Sequence, residues 1–200
     1  MSNIFIISAP SGCGKTSLVR EISRTYDFLE LTVSCTTRKM RRGEVDGEDY
    51  HFMTAEHFMT KISNGEFIEH ESVYDNYYGT TFSSIIDITN TGKDALLEID
   101  YKGMLAIKRI IPNAISIYIL PPSLEELKNR LIQRGLDTQE VINNRVSKAE
   151  NELRYSRFSD FTVINDDYNL ALSSLKSLIL YKKINQNTDL NRLNRHFESC

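Results

Sequence analysis

Hydrophobic residues along the chain alternate between short continuous runs and helical spacings. Residues 4–7 and 115–120 are apolar runs of the kind found in strands buried on both faces, and residues 95–100 form a similar strand that ends in acidic residues. Apolar residues recur at helical spacing within 101–111, 124–134, 137–155 and 170–181, and residues 161–164 form a last short strand. This alternation predicts an α/β fold in which a parallel sheet is flanked by helices.

Capping residues mark several of the predicted helix ends. Ser123 with Glu126, and Asp137 with Glu140, have the spacing of a capping box. Thr54 is the expected N-cap of another helix. These signals place the helices in sequence but say nothing about chemistry.

Residues 33–82 follow a different pattern from the rest of the chain. Short alternating runs, including 30–35, 50–53 and 66–74, are separated by local turns, and residues 36–49 are dense in charge. The segment lies between two predicted core strands. It therefore predicts a small mixed α/β subdomain inserted into the core.

Composition indicates an ordinary globular protein of 200 residues, with 40% hydrophobic and 26% charged residues. The net charge of −3 argues against binding nucleic acid through bulk charge. No apolar run has the length of a membrane span, and the start lacks the basic region of a signal peptide. Cys13, Cys35 and Cys200 have no metal-ligand spacing. We expect a cytoplasmic protein without a membrane or nucleic-acid partner, and the sequence is compatible with an oligomer.

The clearest motif is a P-loop that follows the first predicted strand. It has the spacing G-x-x-x-x-G-K-[ST], with Ala9 in place of the first glycine. Gly12 and Gly14 allow backbone N–H groups to wrap a phosphate chain, Lys15 supplies a charge for the β- and γ-phosphates, and Thr16 a hydroxyl ligand for Mg²⁺. The predicted ATP-binding residues are Ala9, Pro10, Ser11, Gly12, Cys13, Gly14, Lys15, Thr16 and Ser17.

The charged segment suggests a second phosphate site. Arg38 and Arg41 lie three residues apart, with Tyr50 beyond them. Arginine offers a rigid fork of donors that suits phosphate oxygens. Taken alone, such residues are more often part of a solvated loop. Beside a P-loop, they suggest a second phosphorylated ligand.

A larger set of motifs resembles the guanylate kinase family, in register from about residue 3 to residue 182. The motifs are Ser34-Cys35-Thr36-Thr37-Arg38, Arg41-Arg42-Gly43-Glu44, Gly47 with Asp49-Tyr50 and Phe52, Glu66-Phe67-Ile68-Glu69, Tyr77-Tyr78-Gly79, Ile99-Asp100, Pro121-Pro122-Ser123, Arg130 with Arg134-Gly135, Arg145 and Ile164-Asn165-Asp166. The resemblance implies phosphoryl transfer from ATP to GMP with Mg²⁺, and dGMP as a further acceptor.

The resemblance also implies a division of the chain. The core would comprise residues 1–32, 83–123 and 157–183, the GMP-binding subdomain 33–82, and a helical lid 124–156. Residues 184–200 form a polar tail, for which a docked helix and a frayed end are equally expected.

Site roles carry over from the family position by position. The GMP phosphate would be held by Arg38, Arg41, Tyr50 and Tyr78, and guanine would be read by Ser34, Glu69, Thr80 and Asp100, with Gly79 and Glu98 also at the GMP site. Asn165 would contact adenine. The catalytic residues would be Lys15, Arg38, Arg130, Arg134 and Arg145. Thr16 would bind Mg²⁺ directly, and Glu98 and Asp100 through water.

Five positions depart from the usual family pattern: Ala9, Met40, Thr80, and the pair Glu98 and Lys102. None removes a chemical group that the reaction needs, although the longer side chain of Glu98 makes its role at the metal less direct. Two other functions remain open at this point. The protein could be a kinase of the same fold with a different phosphorylated acceptor. It could also be a guanylate-kinase-like module that binds partner proteins without catalysis.

Overall fold

The computed structural model describes residues 2–73, 75–133, 135 and 138–187 of the chain. The strands are β1 (Ile4–Ser8), β2 (Leu29–Leu31), β3 (Cys35–Thr36), β4 (His51–Phe52), β5 (Phe67–Val73), β6 (Asn76–Thr81), β7 (Asp94–Glu98), β8 (Ile115–Leu120) and β9 (Phe161–Ile164). The helices are α1 (Lys15–Thr25), α2 (Ala55–Ser63), α3 (Phe82–Asn90), α4 (Tyr101–Ile110), α5 (Leu124–Gln133), α6 (Gln139–Leu153) and α7 (Tyr168–Asn187), with a 3₁₀ helix at Arg154–Phe158.

A five-stranded parallel sheet in the order β2-β7-β1-β8-β9 forms the core. Successive residues of β1 point to opposite faces: Phe5 and Ile7 pack with α1, α5, α6 and α7, whereas Ile6 packs with α3 and α4. Both faces of the sheet are therefore covered, which explains the continuous apolar runs. The predicted α/β fold with a parallel sheet is confirmed.

A second sheet of four short strands, in the order β4-β3-β6-β5, lies within residues 35–81. It is mixed, because β3 pairs with β4 in parallel and with β6 antiparallel. With α2 it has its own small apolar cluster, which contains Phe58, Phe67 and Cys35. The sequence predicted a turn at Asp75, and this residue has a φ of 62°. It did not predict β6, the strand that follows the turn and pairs with β5.

Several predicted boundaries were wrong. Residues 30–35 were expected to form one strand, but the chain leaves the core sheet after β2 and joins the second sheet at β3. Helix α6 is capped by Thr138, whose hydroxyl accepts the N–H of Val141, and the proposed cap Asp137 lies outside the described residues. Helix α6 also ends at Leu153, before the short 3₁₀ helix.

The last helix is longer than the sequence pattern indicated. Helix α7 runs from Tyr168 to Asn187 instead of 170–181, and Asp167 caps it by accepting the N–H of Leu170. The helix thus includes the first residues of the predicted tail, and residues 188–200 lie outside the described part. None of the helices within the described ranges is both long and apolar enough to cross a membrane.

Candidate active site

The P-loop joins the end of β1 to the start of α1 and carries two residues in the left-handed region. Gly12 has φ 92° and Gly14 has φ 81°, conformations that favour glycine. A Cβ atom at Gly14 would also lie 2.6 Å from Nδ2 of Asn165. Asn165 is buried, and its Nδ2 donates a 2.8 Å hydrogen bond to the carbonyl of Cys13. The loop is therefore fixed from behind by the segment after β9.

Lys15 and Thr16 open α1 and reach the end of β7. Lys15 Nζ donates to the carbonyl of Ile99 at 2.7 Å, and Thr16 Oγ1 donates to Glu98 Oε1 at 2.5 Å. Burial lowers the pKa of the Lys15 ammonium, and the nearby carboxylates of Glu98 and Asp100 oppose that shift. The lysine is thus held at the carboxyl end of a parallel strand, where ligands of α/β sheets bind.

One cleft brings together most of the residues that the sequence singled out. Its walls include all nine predicted P-loop residues, together with Ser34, Arg41, Tyr50, Glu69, Tyr78, Gly79, Glu98, Asp100, Arg130 and Arg145. Three other predicted residues do not line the cleft, but each contacts a residue that does. Arg38 lies against Tyr50, Thr80 donates to Glu69, and Asn165 donates to Cys13. Arg134 lies outside the described residues.

The arginine at the predicted GMP-phosphate site is held from one side by a carboxylate. Arg38 donates from Nη2 to Glu44 Oε1 at 2.8 Å and from Nη1 to Glu44 Oε2 at 3.0 Å. Its guanidinium also lies 5.4 Å from the ring centroid of Tyr50 and 5.7 Å from that of Phe52. The hydrogen bonds that Arg38 donates to Glu44 raise the pKa of Arg38 and, together with the backbone N–H of Arg41, lower the pKa of Glu44 to about 2.

Three of the four residues predicted to read guanine form a chain of hydrogen bonds. Thr80 Oγ1 donates to Glu69 Oε1 at 2.7 Å, and the hydroxyls of Ser34 and Thr80 are 3.3 Å apart. Burial raises the pKa of the Glu69 carboxyl to about 7, the Thr80 hydrogen bond opposes the rise, and the charge of Asp100 adds to it. Asp100 caps α4, accepting the N–H of Gly103 at Oδ1 with a distance of 2.9 Å.

Arg130 connects α5 to the segment after β9. It donates from Nε to Glu126 at 3.0 Å and from Nη1 to the carbonyl of Asn165 at 2.8 Å, with a longer bond of 3.2 Å to the carbonyl of Asp166. Asn165 itself lies behind the P-loop, with its amide directed at Cys13, instead of on the cleft wall. Its contact with adenine stays a prediction.

The comparisons with known proteins agree with this geometry. The family model described as guanylate kinase matches residues 1–182. The chain belongs to the guanylate kinase family. The predicted resemblance is thereby confirmed, and with it the activity class, a nucleoside monophosphate kinase. Neither the kinase with another acceptor nor the non-catalytic module gains support from these matches.

Individual relatives support the same assignment to the guanylate kinase family. The guanylate kinase of Psychrobacter arcticus is 46% identical over 179 residues, 89% of this chain and 86% of that protein. The guanylate kinase of Hydrogenovibrio crunogenus is 44% identical over 178 residues, 89% of this chain and 87% of that protein. The crystal structure of guanylate kinase from Anaplasma phagocytophilum matches with a TM-score of 0.72 at 30% identity, covering 90% of this chain and 86% of that one.

Three residues of this guanylate kinase fold belong to the cleft region but received no role from the sequence. Glu44 accepts two hydrogen bonds from Arg38. Its position in the Arg41-Arg42-Gly43-Glu44 motif could have indicated a role at the site. Glu152 of α6 lines the cleft and accepts a hydrogen bond from the Ser11 backbone, while burial raises the pKa of its carboxyl. Gly103 packs against Glu69, and no sequence signal pointed to it.

Proposed function

We propose that the protein transfers the γ-phosphoryl group of ATP to GMP, giving ADP and GDP. One observation carries this proposal: the P-loop and Glu69 line the same cleft, so a phosphate donor and a guanine base can be held side by side. The curated relatives are named guanylate kinases. By the same chemistry dGMP is a further acceptor, because Glu69 and Thr80 read the base and not the sugar. We assign the reaction to the cytoplasm, with no nucleic-acid or membrane partner.

The donor site consists of the P-loop and Asn165 behind it. Backbone N–H groups from Ser11 to Ser17, at the start of α1, surround the phosphates of ATP, and Lys15 contacts the transferring group. Asn165 holds the loop through Cys13, at 2.8 Å. The backbone carbonyls of Asn165 and Asp166 accept hydrogen bonds from Arg130, which keeps that arginine close to the donor site.

The residues near Thr16 fit a magnesium ion. The Thr16 hydroxyl and the Glu98 carboxylate are 2.5 Å apart, with Asp100 on the same cleft wall, and all three offer the oxygen ligands that Mg²⁺ prefers. Thr16 would bind the ion directly, whereas Glu98 and Asp100 would act through water. When bound with ATP, the ion supplies positive charge that offsets the negative phosphates.

The acceptor site combines a phosphate clamp with a base reader. Arg38, Arg41, Tyr50 and Tyr78 bind the phosphate of GMP, with the Arg38 fork preset by Glu44. Glu69, supported by Thr80 and Ser34, accepts from N1–H and the 2-amino group of guanine. Adenine lacks those two donors, so a buried carboxylate would be left unpaired, which can cost about 10⁴-fold in kcat/KM.

The acceptor is already a phosphate oxygen, so the reaction needs no strong general base. Catalysis comes from positioning, charge neutralisation and exclusion of water. Lys15, Arg38, Arg130 and Arg145, joined by Arg134, stabilise charge on the transferring group. Arg130 and Arg145 line the cleft on the side of α5 and α6.

A coupled assay of ADP formation tests the proposal. With ATP and Mg²⁺ held constant, GMP, dGMP, IMP, AMP, CMP and UMP are compared as acceptors. We expect GMP and dGMP to be used well, IMP weakly, and the others hardly at all. Equal or faster use of AMP or a pyrimidine nucleotide would contradict the assignment of the acceptor.

A further inference from the structure

Gly103 is the one glycine inside a helix in the described part of the chain. It lies in the first turn of α4, where its N–H donates to Asp100. Its φ is not in the left-handed region, so the backbone gives no reason for glycine. Alanine is the better helix former at such a position. The reason for glycine must therefore come from what surrounds it.

The neighbour that occupies this space is the carboxylate of Glu69. A Cβ atom at residue 103 would lie 2.8 Å from Glu69 Oε2 and 3.2 Å from Glu69 Cδ, with Ile99 Cδ1 at 3.3 Å. The other oxygen, Oε1, is held by Thr80 at 2.7 Å. The carboxylate is thus confined between the Thr80 hydroxyl and the bare Cα of Gly103.

We propose that Gly103 is a specificity-determining residue that positions Glu69, an inference that rests on the function proposed above. Because residue 103 has no side chain, the Glu69 carboxylate has room for a position in which its two oxygens accept the N1–H and 2-amino groups of guanine. A methyl group at residue 103 would push Oε2 away and pull Oε1 off Thr80. The backbone need not move, because the displaced atoms are the end of a flexible side chain.

Gly79, the other glycine next to Glu69, provides a contrast. A Cβ atom there would lie 2.8 Å from the Phe67 ring and 2.9 Å from the Glu69 carbonyl. Neither group can move without disturbing the packing of the second sheet, since Phe67 belongs to its apolar cluster. Gly79→Ala should therefore lower the melting temperature, whereas Gly103→Ala should leave it unchanged or raise it.

The test compares GMP with IMP, which lacks the 2-amino group and so presents one donor fewer. In Gly103→Ala we expect kcat/KM for GMP to fall about 10- to 100-fold, the loss of a hydrogen bond to a charged group. The loss for IMP should be smaller, so that the ratio of GMP to IMP shrinks. KM for ATP should stay within about twofold. Arg109→Ala, on the exposed face of the same helix, should leave all of these values unchanged.

A double-mutant cycle with Glu69→Asp keeps the inference falsifiable if the single variant is hard to interpret. The shorter aspartate withdraws the carboxylate from residue 103, so Gly103→Ala should cost little more in the Glu69→Asp background. Unchanged GMP kinetics in Gly103→Ala, an equal loss for GMP and IMP, or additive losses in the cycle would each overturn the inference. A wild-type protein without GMP kinase activity would instead refute the proposed function.

Discussion

Arg38 and Glu44 form a two-bonded ion pair at the edge of the cleft. The terminal nitrogens of Arg38 donate to both oxygens of Glu44, at 2.8 and 3.0 Å, and Arg38 Nη1 also donates to the Lys39 carbonyl at 2.9 Å. Glu44 Oε2 further accepts the N–H of Arg41 at 2.7 Å. Glu44 binds the side of the guanidinium formed by Nη1 and Nη2. The other side, formed by Nε–H and the second Nη2–H, can therefore donate to a phosphate. One carboxylate thereby orients the side chain of Arg38 and holds the backbone of Arg41, the two arginines that we assign to GMP.

Replacing Glu44 with glutamine should weaken GMP binding. Glutamine keeps the size of the side chain, but its amide NH₂ would face an Arg38 donor. One of the two hydrogen bonds that orient the guanidinium would therefore be lost. We expect kcat/KM for GMP to fall about 10- to 100-fold, since a charge-assisted hydrogen bond is worth about 1.5–3 kcal/mol. KM for ATP should hardly change. Steady-state kinetics with each substrate varied in turn give both values.

Glu48→Gln is the matched control for this variant. Glu48 is exposed on the same loop, so its replacement makes the same change of net charge without touching Arg38. If the two variants have the same effect on GMP, the loop acts through its overall charge and the positioning role of Glu44 is wrong. Tighter GMP binding in Glu44→Gln would show that repulsion between Glu44 and the phosphate outweighs orientation.

The raised pKa of Glu69 predicts a pH dependence of GMP use. Only the ionised carboxylate accepts from both guanine donors, and its pKa in the free protein is about 7. Below that value kcat/KM for GMP should fall about tenfold per pH unit, because this parameter reports the free enzyme. The second ionisation of the GMP phosphate, near pH 6, adds its own effect at lower pH. Glu69→Gln should retain only that lower step, and a wild-type profile flat down to about pH 6 would contradict the assignment.

The same group should affect stability with the opposite sign. The carboxyl has its ordinary pKa of 4.5 in the unfolded chain and about 7 in the folded protein, so the folded state binds more protons between these values. The free energy of unfolding should therefore decrease as the pH rises through this window. Thermal melts of the ligand-free protein measure this trend. In Glu69→Gln the slope should be reduced, and an identical slope in both proteins would argue against a buried, titrating Glu69.

Lys15→Ala should leave a folded protein with little activity. The ammonium is held at the cleft by the carbonyl of Ile99 at 2.7 Å, and we assign it to the transferring phosphate. Removing a charge from such a site should lower kcat at least ~10²-fold. GMP affinity should be kept, because Glu69 and Arg38 are unchanged, and isothermal titration with GMP measures it directly. Near-normal turnover would exclude the P-loop mechanism.

The sequence predicted those parts of the site that depend on contiguous residues. The P-loop is local: β1, the loop and α1 follow one another, so spacing alone identified Lys15 and Thr16 as P-loop residues. Their contacts with Ile99 and Glu98 at the end of β7 came from the fold. The split of residues 30–35 between two sheets could not be predicted in this way. The apolar pattern of residues 30–35 continues from β2 into β3 without a break. The two strands are distinguished only by their pairing partners, β7 for β2 and β6 for β3.

Contacts between distant residues are what the sequence could not supply. Glu69 and Gly103 meet because β5 packs on α4, and nothing in either segment indicates the other. Asn165 was assigned to adenine from its place after the last strand, but its amide reaches Cys13, which lies far away in sequence. Spacing identified the P-loop and the family resemblance supplied the other candidate residues, whereas their partners required the fold.

Closure over both substrates is the remaining expectation, and it follows from how the arginines are distributed. Arg41 belongs to the loop between β3 and β4, and Arg145 to α6, yet both line the same cleft. We assign Arg41 to the phosphate of GMP and Arg145 to the transferring group, and the two phosphates can meet only if these elements approach each other around two negatively charged ligands. Closure would also exclude water, which otherwise competes as acceptor. We therefore expect GMP with a non-hydrolysable ATP analogue to reduce the radius of gyration more than either ligand alone, as measured by small-angle scattering.

Arg145→Ala separates closure from binding. Its contacts with the transferring group form mainly in the closed state, so the variant should show less compaction and a lower kcat, while GMP affinity stays within ~1 kcal/mol. Arg109→Ala, on the exposed face of α4, removes the same charge outside the cleft and should behave as wild type. An unchanged scattering profile of the wild type with both ligands bound would refute closure. A large loss of GMP affinity in Arg145→Ala would instead assign that arginine to the acceptor site, because a residue that acts only on the transferring group cannot affect ground-state binding of GMP.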